Sequence, residues 1–259
     1  MRRLLRPGVV TVLVLVALVA LWEAAAAAGH VDLFFFSCPS LVWADLVEMV
    51  RTGYLQIHLA ATVQEAAIGL LCGGALGTLT GLVLGVHPTV SRGLLPLMTG
   101  LNGIPKLALG PLLIIWFGIG LKSKALISGL MVFFVFAFNL YSGARSTDRD
   151  LLMGARLLGA SHGQLLRLVV LPSCVPWFLT SLRTGLGMAF SGAIVGEYLG
   201  ASRGLGWAIT NAGERYDVAR VLACVLVILC LVMLLGTILH LVERRLLRWR
   251  TVRGDGLGT

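Results

Sequence analysis

The chain has 259 residues, of which 58% are hydrophobic and only 13% charged, against roughly a quarter charged in an ordinary soluble domain. Its mean hydropathy is +0.92, more apolar surface than one core of this size can hide, so a bilayer is the expected solvent. A secreted disulfide scaffold, a disordered chain and most soluble enzymes are thereby excluded. The formal charge of +9 would suggest nucleic acid in a soluble protein, but here the basic residues flank apolar runs and read as topology signals. No nucleic-acid partner is expected.

Six spans are expected in chain order, giving an all-α, polytopic membrane bundle in a single transmembrane domain over 1–259. The first, 9–28, comes after Met1-Arg-Arg-Leu-Leu-Arg6. Its apolar run is long for a cleaved signal peptide, so it reads as a retained signal anchor. After it, Leu41, Val42, Leu46, Met49 and Val50 recur at helical spacing, with Ser40 as cap and Gly53 as stop. That segment, 40–53, is expected as a short amphipathic helix in the interface. The second span, 59–86, carries Gly69, Gly73, Gly77, Gly81 and Gly85 in strict fours, a small-residue stripe for close helix packing, a dimer contact included.

The third span, 94–119, is interrupted by Pro96, Pro105 and Pro111. Proline removes a backbone donor and clashes with the preceding turn. In a membrane such breaks survive only beside protein or water, so this span either faces a pathway or is a kink packed by its neighbours. The fourth, 125–141, contains Asn139, readable as interhelical glue or as pore lining. The fifth is 173–196, a second amphipathic stretch covers 204–217, and the sixth span is 218–242.

With the N-terminus placed in the cytoplasm, the inner segments carry Arg2, Arg3, Arg6, Arg92, Arg145, Arg149, Arg156, Arg167, Arg244, Arg245, Arg248, Arg250 and Arg253. The outer segments carry Arg51, Lys122, Lys124, Arg203 and Arg215. Thirteen against five predicts both termini inside. Cys38, Cys72, Cys174, Cys224 and Cys230 form no CxxC pair, and the five histidines lack ligand spacing, so no metal site is expected.

Ionisable groups inside spans are functional candidates by default. They are Glu65, Lys106 and Arg183, with Glu197 near an outer end. Lys106 and Arg183 would favour an anion. The alternative is an internal ion pair, such as Glu65 with Arg183, or a snorkelling arginine.

The inner loop, 142–172, is the most informative segment. Thr147 and Asp150 stand at capping-box spacing, and Leu151, Ala155 and Leu158 then share one helical face. Gly159 can stop that helix because it accepts positive φ. Ser161 and Gln164 form a second capping box, and Leu165, Leu168 and Val169 extend a second helix that ends at Leu171-Pro172. Small residues beside leucines suit insertion into a groove of a soluble partner, or equally a helix lying on the bilayer.

This loop resembles the cytoplasmic EAA loop of ABC importer permeases, which runs Glu-Ala-Ala, three residues, Gly, then a spacer to Leu-Pro. Met153-Gly154-Ala155 stands in the Glu-Ala-Ala place, Gly159 at the glycine, and Leu171-Pro172 at the close. The glutamate is replaced by Met153, so an ion pair from that position is not available. The run Ile104 to Gly120, Gly159-Ala160-Ser161, Gly196 to Gly206, Trp22-Glu23 and the tail Glu243 to Arg250 are similar to the nitrate/sulfonate/taurine branch.

The resemblance implies a type I ABC importer fold in the bacterial inner membrane. It also implies a permease homodimer, two cytoplasmic ATPase subunits and an extracytoplasmic solute-binding protein. Met153, Gly154, Ala155, Arg156, Leu158, Gly159, Ala160, Ser161, Leu171 and Pro172 would form the ATPase-coupling loop, with a cytoplasmic tail over 243–259. Glu65, Lys106, Asn139, Arg183 and Glu197 are the pathway candidates. No residue is assigned a catalytic role. The chain lacks GxxxxGK[ST], so ATP and Mg would belong to the partner ATPase and this subunit would bind no cofactor. The implied cargo is a small anion such as a sulfonate, taurine or nitrate, although similar permeases carry pyrimidine or other vitamin precursors. A secondary transporter or channel is disfavoured by the two-helix inner loop and by the lack of an inverted repeat. A membrane enzyme is disfavoured because no nucleophile-and-base pair stands at one depth.

Overall fold

A computed structural model describes residues 7–246. Arg2, Arg3, Arg6, Arg248, Arg250, Arg253 and the tail after Leu246 lie outside the described residues. Among the described residues all regular structure is helical. Backbone contacts divide the chain into two compact units, one of residues up to 61 with 202–229, the other of 62–201 with residues from 230 onward.

The first unit holds α1 (Pro7–Ala27), α2 (Leu33–Phe36), α3 (Pro39–Arg51), the opening turns of α4 (Tyr54–Val86), α11 (Leu205–Glu214) and the start of α12 (Val218–Leu246). Its core is Val42, Met49, Ala208, Ala223 and Cys224. The expected interfacial helix is α3, but Ser40 does not cap it. The helix starts a residue earlier because Pro39, with φ preset and no N–H to lose, fits its first position. The Ser40 N–H instead donates to Glu23 Oε2 at 3.0 Å. Gly53, at φ +75°, comes just after the helix end as expected. Arg220 of α12 donates to Asp45 of α3 at 2.6 Å, tying the two helices together.

The second unit is built around α4, α7 (Leu121–Arg145) and α10 (Leu171–Leu199). Phe136, Val132, Leu140, Cys174, Ala189 and Ala193 form its core. The glycine stripe of α4 faces α7 of the same chain. A Cβ at Gly73 would come within 2.2 Å of the Gly129 carbonyl oxygen, one at Gly77 within 2.5 Å of that of Phe133, and one at Gly81 within 2.4 Å of that of Ala137. The stripe is therefore spent on an internal contact, and no dimer contact need be read from it. The matched residues rise together along both helices, so α4 and α7 run parallel. By contrast Gly192 meets Ser128, Gly185 meets Phe136 and Gly143 meets Trp177, so α10 runs antiparallel to α7.

Parallel α4 and α7 require the chain to recross between them. That return is made by α5 (Pro88–Gly103) and α6 (Lys106–Phe117), bent by 90° at the intervening Ile104-Pro105. At 1.5 Å per residue the legs measure roughly 24 and 18 Å, so at right angles they cover roughly 30 Å, about one hydrocarbon thickness. Among the described residues five helices are long and apolar enough to cross a membrane, six with the bent pair taken as one span. Pro105 supplies the break, while Pro96 and Pro111 remain inside α5 and α6.

The fifth span differs from expectation. The helix entered at His162 does not end at Leu171-Pro172. Helix α9 (His162–Leu165) passes through a π segment, Leu166–Val170, directly into α10. The Leu171 N–H donates to the Leu166 carbonyl, five residues back. This widened turn shifts the register, so Pro172 falls in the first turn of α10, where its missing N–H breaks nothing.

Candidate functional site

Between the fourth and fifth spans stands α8 (Arg149–Leu157). Its cap is Asp148, whose side chain accepts from the Asp150 N–H at 2.8 Å. Thr147, the expected cap, is buried with its hydroxyl unbonded. Both residue types can cap, but Thr147 turns inward where α7 ends and only Asp148 stands at the helix entrance. Gly159 ends the helix at φ +84°. The reciprocal capping box of Ser161 and Gln164 is present, with the Ser161 N–H donating to Gln164 Oε1 at 2.8 Å.

The loop of residues 142–172 is held to the bundle along one face. Leu152, Leu166 and Val170 pack on the core that contains Phe136 and Ala189. Leu151, Gly154, Ala155 and Leu158 overhang a groove of about 720 Å³ whose far wall includes Leu168 and Pro172. Leu157 and Leu158 are 89% and 90% exposed, and Met153 and Arg156 are also exposed. Leu157 is missing from the predicted face. Its signal was the doubled leucine before Gly159, which a strict face count discards. Gly154 and Ala160 are half-buried, and Leu171 is exposed at the head of α10.

The intramembrane charges separate into three places. Glu65 pairs with Lys124 rather than Arg183, Nζ to Oε1 at 2.8 Å, with both side chains nearly sealed. Antiparallel packing sets Arg183 beside the Phe136 level of α7, about 18 Å along the helix from Lys124. Arg183 itself is exposed. In sequence Lys124 reads as an outer-loop charge, yet α7 begins at Leu121 and takes it into the bundle. Glu197, 1% exposed, accepts from Thr62 at 2.6 Å, a link between α10 and α4. Lys106 stands at the head of α6, donating to the Asn102 carbonyl and, at 2.8 Å, to Asn102 Oδ1. Asn139 lines a cavity of about 440 Å³ with Lys106 and Asn102. Sequence reading misses Asn102, although it stands four residues before Lys106, the spacing at which side chains meet along a helix.

A multi-span helical bundle with a capped two-helix loop rooted in its core is the architecture of a transporter's membrane subunit. The chain belongs to the family described as binding-protein-dependent transport system inner membrane component, whose model matches residues 73–248. It is the permease subunit of an ABC importer, multi-pass in the inner membrane, and it works with a separate ATPase and a solute-binding protein. It is 32% identical over 250 residues to a Bacillus subtilis (strain 168) protein named as an aliphatic sulfonates transport permease, covering 96% of this chain and 88% of that one. It is 34% identical over 241 residues to the taurine transport system permease protein of Escherichia coli (strain K12), covering 91% and 87%. Its fold matches a chain of the MetNI methionine ABC transporter in inward-facing conformations, with a TM-score of 0.61, 20% identity, and 74% and 93% coverage.

Proposed function

We propose that this permease conducts a small anion of the sulfonate, taurine or nitrate class, as a homodimer gripped by two ATPase subunits, with both termini in the cytoplasm. Met153, Gly154, Ala155, Arg156, Leu158, Gly159, Ala160, Ser161, Leu171 and Pro172 form the coupling loop, with Leu157 added. The whole chain acts as one permease domain. ATP and Mg are held by the ATPase, and this subunit binds neither. Glu65, Lys106, Asn139, Arg183 and Glu197 remain the pathway set, with Glu65 assigned to holding helices.

The observation that carries the coupling role is the exposure of Leu157 and Leu158, 89% and 90%, at the tip of a loop whose other face is anchored in the core. Two adjacent bare leucines beside a glycine bend make a ready anchor for a partner's groove. ATP binding closes the ATPases and displaces α8. The displacement passes through Leu152, Leu166 and the continuous α9–π–α10 helix to the fifth span. Only differential ATP binding to inward and outward states can drive the exchange, and moving an equilibrium from about 1:99 to 99:1 takes about 5.5 kcal/mol.

Affinity purification of the tagged permease tests this reading. Wild type brings down the ATPase, and Leu157→Asp with Leu158→Asp loses it while the permease stays monodisperse. Undiminished ATPase recovery would remove the docking role. Stimulation of ATP hydrolysis by loaded binding protein, across sulfonates, nitrate and pyrimidine precursors, decides the solute class.

A further inference from the structure

The cavity beside the broken third span has a mixed lining. Its polar members are Lys106, Asn102, Asn139 and Thr184. The ammonium has three protons and spends two on the Asn102 carbonyl and Oδ1, which leaves one to offer. Asn102 uses its oxygen on that lysine, so its NH₂ is available, and Asn139 lines the same cavity with a side-chain amide that can donate as well as accept. Among the described residues no carboxylate lines the cavity. Where Glu65 neutralises Lys124, nothing acidic among the described residues lies within 4 Å of Lys106. A cation in an apolar bundle without a counter-ion favours an anionic guest.

The rest of the lining is apolar. Phe134 and Phe138 stack with centroids 6.2 Å apart, and Met131 and Met188 complete the wall. The Phe134 ring centroid lies 5.1 Å from the Lys106 ammonium, so the charge and the apolar wall adjoin. The cavity sits near the middle of α7, at the depth where broken helices of transporters place their sites.

We infer that this chamber is a binding station for organic anions, with Lys106, Asn102 and Asn139 holding the oxyanion head and the Phe134–Phe138 wall holding a short hydrocarbon tail. The permease thereby adds its own selection, for alkanesulfonates over nitrate, which has no tail to bury. The inference rests on the proposed permease function and narrows its solute class.

The test is equilibrium dialysis of radiolabelled butanesulfonate against the permease–ATPase complex in nanodiscs, without binding protein or nucleotide. Wild type is expected to bind saturably, with competition strengthening up to about fourfold per added methylene from ethane- to hexanesulfonate. Nitrate and butylammonium compete at least tenfold less well. Lys106→Gln weakens binding at least tenfold, Lys106→Arg restores most of it, and Phe138→Ala flattens the dependence on tail length. Each variant is first shown to co-purify with the ATPase and to elute as wild type does. No saturable binding by wild type, equal competition by nitrate or butylammonium, or Lys106→Gln binding as wild type does overturns the inference. If wild type fails to recover an ATPase, the permease reading itself falls, a result separable from any change in sulfonate binding.

Discussion

Lys124 Nζ lies 2.8 Å from Glu65 Oε1, and the two side chains are only 6% and 4% exposed. The pair joins α4 to α7 one turn from the Glu197–Thr62 contact that joins α10 to α4. Removing one partner leaves the other charge in a dry site, which costs about 3–5 kcal/mol, whereas replacing both with apolar or neutral groups is often nearly neutral. Glu65→Gln and Lys124→Met should each lower the thermal unfolding midpoint of the purified permease sharply. The double variant should recover most of the loss. Additive losses in this cycle would show that the pair does not act as a unit.

The α4–α7 contact makes a sharper steric prediction. At Gly73 an added methyl meets the Gly129 carbonyl at 2.2 Å, and backbone cannot rotate away as a side chain can. Gly73→Ala should therefore cost about 1–3 kcal/mol as overpacking. Gly187→Ala in α10 meets nothing within 4 Å and should be neutral or stabilising, since alanine is favoured over glycine in a helix interior by about 0.5–1 kcal/mol. Unfolding midpoints of the two variants, measured side by side, should move in opposite directions or differ by several degrees.

What the sequence made legible was what local chemistry decides. The spans come from composition, an interrupted third span from its three prolines, and the inner-loop helices from Gly159 and from Ser161 with Gln164. Long-range partners were not legible. Glu65 and Lys124 stand 59 residues apart in sequence, and which cation reaches Glu65 depends on the parallel register of α4 and α7. The glycine stripe signalled a close contact but not its owner. Lys124 looked like loop charge because Gly118 and Gly120 precede it closely. Pro172 read as a helix end because nothing in a local pattern announces a π turn just before it.

The start of α8 offers a test of one such local ambiguity. Asp148 accepts from the Asp150 N–H, while the Thr147 hydroxyl is buried and unbonded. Asp148→Ala should destabilise α8 by about 1 kcal/mol, seen as faster hydrogen exchange at Leu151 to Ala155. Thr147→Val, which removes only an unsatisfied hydroxyl, should leave that exchange unchanged and raise the unfolding midpoint slightly. If Thr147→Val speeds α8 exchange instead, the threonine is the cap after all.

Gly159 separates folding from coupling. Its φ of +84° costs a β-branched residue roughly 1–2 kcal/mol in backbone strain, yet a Cβ there meets nothing within 4 Å. Gly159→Val should thus leave the bundle intact while re-aiming Leu157 and Leu158 against the ATPase. Ala155→Glu would act on the same loop by placing charge in the groove beneath α8. In proteoliposomes loaded with ATP, both variants should keep the unfolding midpoint within a few degrees of wild type. Uptake should fall at least tenfold relative to ATP hydrolysed, because closure of the ATPases no longer moves the α9–π–α10 helix. Wild-type stimulation of ATPase by loaded binding protein in either variant would reject the lever. A parallel loss of uptake and unfolding midpoint would assign the effect to folding.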